Sequence, residues 1–197
     1  MVLRPFVLAY LAGVVVAWII RFQQIQKYQR ASKPTIPPRE LLIMFVWFIA
    51  SHVIPAIYCF APILTFANYP LILPIKIVGI GVFIVALWLL RQSHVDLGRN
   101  WSPIAEIQTN QILITQGVYR YLRHPMYSAH LLWGLAQGLL ISNWLVGYLG
   151  IVTFAMLYFS RIAQEERLMQ EHFGQEYINY RYKVGAVIPK LFSNQNG

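Results

Sequence analysis

Five apolar stretches, at about 4–26, 39–60, 72–94, 125–141 and 143–166, constrain this chain more than any other feature. Each is long enough to cross a hydrocarbon layer of about 30 Å as a helix of roughly 20 residues. Inside lipid every backbone donor and acceptor must be satisfied within the chain, and a helix does this by itself. Composition agrees: 57% of residues are hydrophobic and 12% charged, and the mean hydropathy is +0.50. The expected fold is all-α, a polytopic membrane protein of about five transmembrane helices in a single domain spanning residues 1–197.

Pro55 and Pro62 lie near the end of the second stretch, and APILTFANYPLILP reads as a re-entrant or interfacial connector to the third. Only Ile141, Ser142 and Asn143 separate the last two stretches, so these must form an antiparallel hairpin whose polar ends emerge on the same side. ASKPTIPPRE is linker-like, with Pro37 and Pro38 opening the second helix. No internal repeat is present, and the first apolar segment reads as a retained helix, not a cleaved leader.

Arg21, Lys27, Arg30, Lys33 and Arg39 cluster between the first two stretches, whereas the connector from Cys59 to Pro74 carries no charge. The excess of cations places that first loop in the cytoplasm. Alternating forward puts Arg91, Arg99, Arg120, Arg123 and the tail on the same side, leaving Arg4 and Lys76 outside. All seven acidic residues fall at or near the inner face, so chemistry is expected there. The net charge of +9 follows loop topology and forms no nucleic-acid-binding platform.

Cys59 is the single cysteine, which excludes a disulfide framework. No strand-bounded glycine fingerprint exists, since Gly79 and Gly81 lie within an apolar run, and this excludes a soluble dinucleotide-fold enzyme. Gly134 and Gly138 have the small-residue spacing of close helix packing. His52, His94, His130 and His172 form no recognisable metal-ligand set and are expected to hydrogen-bond between helices.

At RHPMY, residues 123–127, Pro125 suits the first position of a helix and pushes His124 out of helical conformation. The amides of Met126, Tyr127 and Ser128 are then expected free at the positive helix end, where they suit a carboxylate or phosphate, with Arg123, His124 and Tyr127 adding donors. The plainer alternative has Arg123 snorkelling to head groups and Tyr127 in an interfacial aromatic belt. Arg161 and Glu165 are four apart on one helical face, an ionisable pair near membrane depth that points to function, or else to an ordinary interfacial ion pair. Glu166 and Arg167 are rotated away and expected in solvent. Phe173, Tyr177 and Tyr180 form a stripe expected to pack over the cap or lie on the membrane surface.

GVYRYLRHPMY, an apolar hairpin, the EE pair at 165–166 and FGQEYINYRYKV followed by IP together resemble the isoprenylcysteine carboxyl methyltransferase family, over residues 95–190. Phospholipid N-methyltransferases and sterol reductases share parts of this region. The resemblance implies S-adenosylmethionine-dependent methyl transfer in a cytoplasmic cofactor-binding cap, with S-adenosylhomocysteine as product. It makes residues 1–94 the first three spans and residues 95–197 the catalytic region, with the hairpin at 125–166. The implied acceptor is the C-terminal carboxylate of a prenylated cysteine arriving among membrane lipids.

Carried over residue by residue, the family pattern makes Gln111, Ile112, Leu113, Ile114, Tyr119, His124, Pro125, Met126, Tyr127 and Glu165 cofactor-binding. Glu106 joins them although the family has an amide there and a different spacing to residue 111. Arg161 matches the catalytic, substrate-side arginine and would hold the acceptor carboxylate by a forked pair, while Glu165 would hold the cofactor's ammonium. The start of the helix at Pro125 would take the cofactor's carboxylate, Ile112 to Ile114 the adenine, and Tyr119 or Tyr127 the ribose or ring. No metal is needed to align an activated sulfonium methyl with a carboxylate. The third span is expected to form one wall of the gap that admits the lipid. Alternatives are a phospholipid N-methyltransferase, which needs a base such as Glu165 or Glu166, a methyltransferase for another small lipophilic acceptor, and a non-enzymatic scaffold.

Overall fold

The structure, a computed structural model, describes residues 4–27, 36–101 and 111–190. Seven α-helices are found among them: α1 (Pro5–Lys27), α2 (Pro38–Phe48), α3 (Ile54–Phe60), α4 (Leu73–Leu97), α5 (Pro125–Leu140), α6 (Trp144–Phe173) and α7 (Gln175–Lys183). The described residues contain no strand, only two isolated bridges, so the all-α expectation holds.

Four segments are long and apolar enough to cross a membrane: Pro5–Lys27, Pro38–Phe60, Leu73–Asn100 and Trp144–Phe173. The remaining stretch is α5, whose 16 residues rise about 24 Å at 1.5 Å each. This helix packs between α4 and α6, which cover it; Ala136 and Gln137 have no exposed surface.

Pro38 opens the second span as its position after Pro37 predicts. Pro55 does not end it. A wide π turn over Ile49–Val53 links α2 to α3, because the proline lacks an N–H and the helical ladder must slip one residue ahead of it. The hairpin has the predicted boundaries, with α5 ending at Leu140 and α6 starting at Trp144. Asn143 caps α6 by accepting from the Val146 amide at 3.0 Å. Helix α6 runs past residue 166 to Phe173, since QEERLMQEHF contains no breaker before Gly174, which has φ 54°.

Packing runs α1–α4–α5–α6–α2, and α3 returns to touch α1. The ring of helices is therefore closed at the hairpin-turn end by α3, while α2 leans on α6 at the other end. At Gly134 a Cβ would lie 2.6 Å from the Ile151 side chain, which explains why the GLAQG run keeps α5 close to α6.

Candidate active site

The approach to α5 is built by local backbone geometry. Gly117 adopts φ 58°, and a Cβ there would sit 2.0 Å from the Asp96 carboxylate, which accepts the Val118 amide at 2.8 Å. A short 3₁₀ turn at Gly117–Arg120 follows, then the chain extends through His124 and Pro125 begins the helix. The tail straps across this start: the amides of Arg123 and His124 donate to the Gly185 and Ala186 carbonyls at 2.8 and 2.9 Å. The Ser128 hydroxyl donates to Val187.

The three amides expected to be free are not all so. Tyr127 and Ser128 donate to the His124 carbonyl at 3.0 and 3.2 Å, because that carbonyl turns back into the first helical turn. Among the described residues, Met126 alone of the three makes no such bond.

A chain of charged groups crosses the cap end. Glu166, expected in solvent, has only 12% of its side chain exposed. It accepts from Arg123 Nε at 3.1 Å, pairs with His124 Nε2 at 2.7 Å and with Arg181 Nε at 3.2 Å. The reading of its helical face failed because the tail, not water, covers that face. Arg123 likewise does not snorkel: it also donates to the Arg181 and Val184 carbonyls. His124 Nδ1 lies 3.7 Å from Glu165, whose other oxygen accepts the Tyr127 hydroxyl. Arg161 Nε stands 3.7 Å from Glu165, and its Nη2 is 3.0 Å from Glu40 on α2. Three carboxylates thus alternate with three guanidiniums and an imidazole.

A cavity opens along this chain. Gln111, Ile112, Leu113, Ile114, Tyr119, His124, Met126, Tyr127, Glu165 and Arg161 all line it. Pro125 is buried behind the lining, and Glu106 lies outside the described residues. Tyr177 and Tyr180 roof the cavity, as the tail stripe suggests, but Phe173 sits apart as the last residue of α6, before the break at Gly174. Burial pushes the Tyr119, Tyr177 and Tyr180 phenols above the ordinary tyrosine range. They stay protonated donors at neutral pH, and the Tyr180 hydroxyl bonds the Tyr119 carbonyl at 2.6 Å.

The deep wall differs from expectation. The third span contributes Leu97 and, at its end, Asn100, whereas Met44 and Trp47 of α2 and Phe154 and Leu157 of α6 form the apolar half, with the Arg21 side chain of α1 beside them. Sequence reasoning missed Glu40, Met44, Trp47 and Arg21 as site residues. Glu40 had one faint signal, an acid in the first turn of its helix, which reads equally well as ordinary helix-start charge. His52 and His130 stack on aromatic neighbours inside the bundle, Phe48 and Phe154 respectively.

The cavity's two halves suit different chemistry. A carboxylate, an imidazole, a helix-start amide and aliphatic walls can hold a zwitterionic cofactor with a purine. The apolar half suits a hydrocarbon chain, and Arg161 belongs to the same cavity.

Residues 78–171 match the model of the isoprenylcysteine carboxyl methyltransferase (ICMT) family. A protein-S-isoprenylcysteine O-methyltransferase of Schizosaccharomyces pombe is 30% identical over 115 residues, covering 57% of this chain and 49% of that one. Its counterpart in Saccharomyces cerevisiae is 34% identical over 94 residues, 47% of this chain and 39% of the other. A probable protein-S-isoprenylcysteine O-methyltransferase of Oryza sativa subsp. japonica is 30% identical over 117 residues, 58% and 61% of the two chains. The chain therefore matches only about half the length of these curated relatives. The solved eukaryotic intramembrane Ras methyltransferase ICMT shares the fold, with a TM-score of 0.57 at 20% identity over 92% of this chain and 67% of that one. The family resemblance read from the motifs stands, and the chain is an integral membrane protein.

Proposed function

We propose, taking the family likeness of residues 78–171 as premise, that this protein methylates the C-terminal carboxylate of a prenylated cysteine at the cytoplasmic membrane face, using S-adenosylmethionine. The observation that carries this reading is the single cavity in which polar cap residues, Arg161 and an apolar wall meet.

When bound, the cofactor would supply an electrophilic methyl to the acceptor's carboxylate oxygen, with S-adenosylhomocysteine as the leaving group that keeps the electron pair. No proton has to move, so this chain's residues need only bind, orient and exclude water. Glu165, fixed by Tyr127, would hold the cofactor's ammonium. The Met126 amide and His124 would hold its carboxylate, and Gln111 to Ile114 with Tyr119 would line the nucleoside. The forked guanidinium of Arg161 would turn from Glu40 to the acceptor's carboxylate. Met44, Trp47, Phe154 and Leu157 would bury the isoprenoid chain.

The test is transfer of labelled methyl to a farnesylated cysteine analogue in detergent, comparing the native chain with Arg161→Ala and Glu165→Ala. Base-labile label that requires both residues is expected. Cofactor binding that depends on Glu165 without ester formation would discard the prenylcysteine acceptor, and full activity in both variants would discard the site.

A further inference from the structure

Arg21 sits in sequence among the loop cations, yet the structure turns it inward. The side chain is half-buried and lines the same cavity as Arg161, but from α1 instead of α6. Its Nη2 lies 3.3 Å from His130 Nε2. The other nitrogen of that ring, Nδ1, is 2.7 Å from the Met126 carbonyl, which can only accept, so Nδ1 carries the proton and Nε2 accepts from Arg21. The imidazole is therefore neutral and takes one of the guanidinium's five donors.

Arg161 contrasts with this: Glu40 and Glu165 both face it. Among the described residues Arg21 has no carboxylate within ion-pair distance, and the wall beside it is Met44, Trp47, His130 and Phe154. A guanidinium inside a helical bundle is costly to keep unless an anion meets it, and nothing in this wall supplies one. A ligand bearing both a negative group and an apolar body fits both features.

We infer that Arg21 is a second binding residue for the acceptor's carboxylate, acting with Arg161 and selecting anionic lipophilic acceptors over neutral amines. This rests on the methyl-transfer reading above and deepens it. Arg21 and Arg161, facing the same cavity, also oppose the approach of an amine nucleophile, which must shed a proton and carry positive charge as it is methylated.

The test compares the native chain with Arg21→Gln and Arg21→Lys in detergent. It measures kcat and KM for a farnesylated cysteine analogue, cofactor affinity by calorimetry, and inhibition by farnesylcysteine against its carboxamide. Arg21→Gln is expected to raise KM about tenfold or more, with kcat and cofactor affinity changed less than about twofold. Arg21→Lys should recover part of the loss, and the carboxamide should inhibit all forms equally. An unchanged KM, or equal weakening of carboxylate and carboxamide, would overturn the inference and leave the reading of the enzyme intact. Should Arg21→Gln not fold, the carboxylate-to-carboxamide ratio in Arg21→Lys decides: a fall supports the inference, no change overturns it. A native chain that binds the cofactor but forms no ester with this acceptor would overturn both.

Discussion

The two ends of the α5–α6 hairpin handle polar groups in opposite ways. At the turn end the hairpin's two buried amide side chains, Asn143 and Gln137, are neutral, and both are spent on other parts of the fold. Asn143 accepts from Val146 and donates to Leu64 and Asn68, while Tyr58 donates to the same Asn68 oxygen. One turn deeper, Gln137 donates to the Ala50 and Val146 carbonyls and accepts from Tyr10, whose oxygen takes the Trp133 indole N–H. At the cap end the groups are charged, and Arg161, Glu165, His124 and Arg21 border a cavity. Saturated neutral bonds stitch helices together, whereas ions held at a cavity wall keep capacity for a ligand.

The sharpest way to break this contrast is Glu165→Gln, which keeps the shape of the side chain and removes its charge. Methyl transfer should fall by about a hundredfold or more while the melting temperature in detergent barely moves; an equal loss of stability would make Glu165 a structural ion like Glu166. At the turn end the outcome should invert. Gln137→Leu strips three hydrogen bonds from the core and should cost about 2 kcal/mol of stability, with turnover per folded molecule unchanged, read by thermal melts beside single-turnover rates.

Gly134→Val pushes α5 off Ile151, and overpacking of this kind costs about 1–3 kcal/mol. If the hairpin acts as one rigid wall, KM for the acceptor should rise too, because Phe154 and Leu157 lie on the displaced helix. Gly117→Ala forces a side chain into positive φ against Asp96, at a cost of about 1–2 kcal/mol. Its mark should be faster proteolysis of the segment between residues 111 and 124, with the turn end unaffected. Smallest of all, Arg181→Ala should shift stability by less than about 0.5 kcal/mol, since that side chain is 54% exposed while Arg123 and His124 still hold Glu166. A larger shift would show that the tail depends on this pair.

Much of this was legible in the residues. Pro38, Pro125 and the Ile141–Asn143 turn mark helix ends because each acts through its own backbone, within a residue or two of its position. The pair Arg161 and Glu165 was legible because a four-residue spacing on one helix is a local fact. Pro55 was visible too, but its outcome, a π turn instead of a helix end, depended on α6 and α1 holding both halves of the span in place. Glu166 was misread because a helix's own periodicity does not say what a later segment will lay across it.

By itself, then, the sequence determined an all-helical membrane chain, the hairpin, and a family pattern running from residue 111 to residue 165, since hydropathy, proline and residue spacing act over short range. Only the tertiary structure decided that Glu40 would reach Arg161 and that Arg21 would turn inward against His130. It also decided that α2, and not α4, would wall the apolar half of the cavity. Those outcomes depend on which helices become neighbours, and a side chain's partner across a bundle is set by packing of surfaces far apart in the chain.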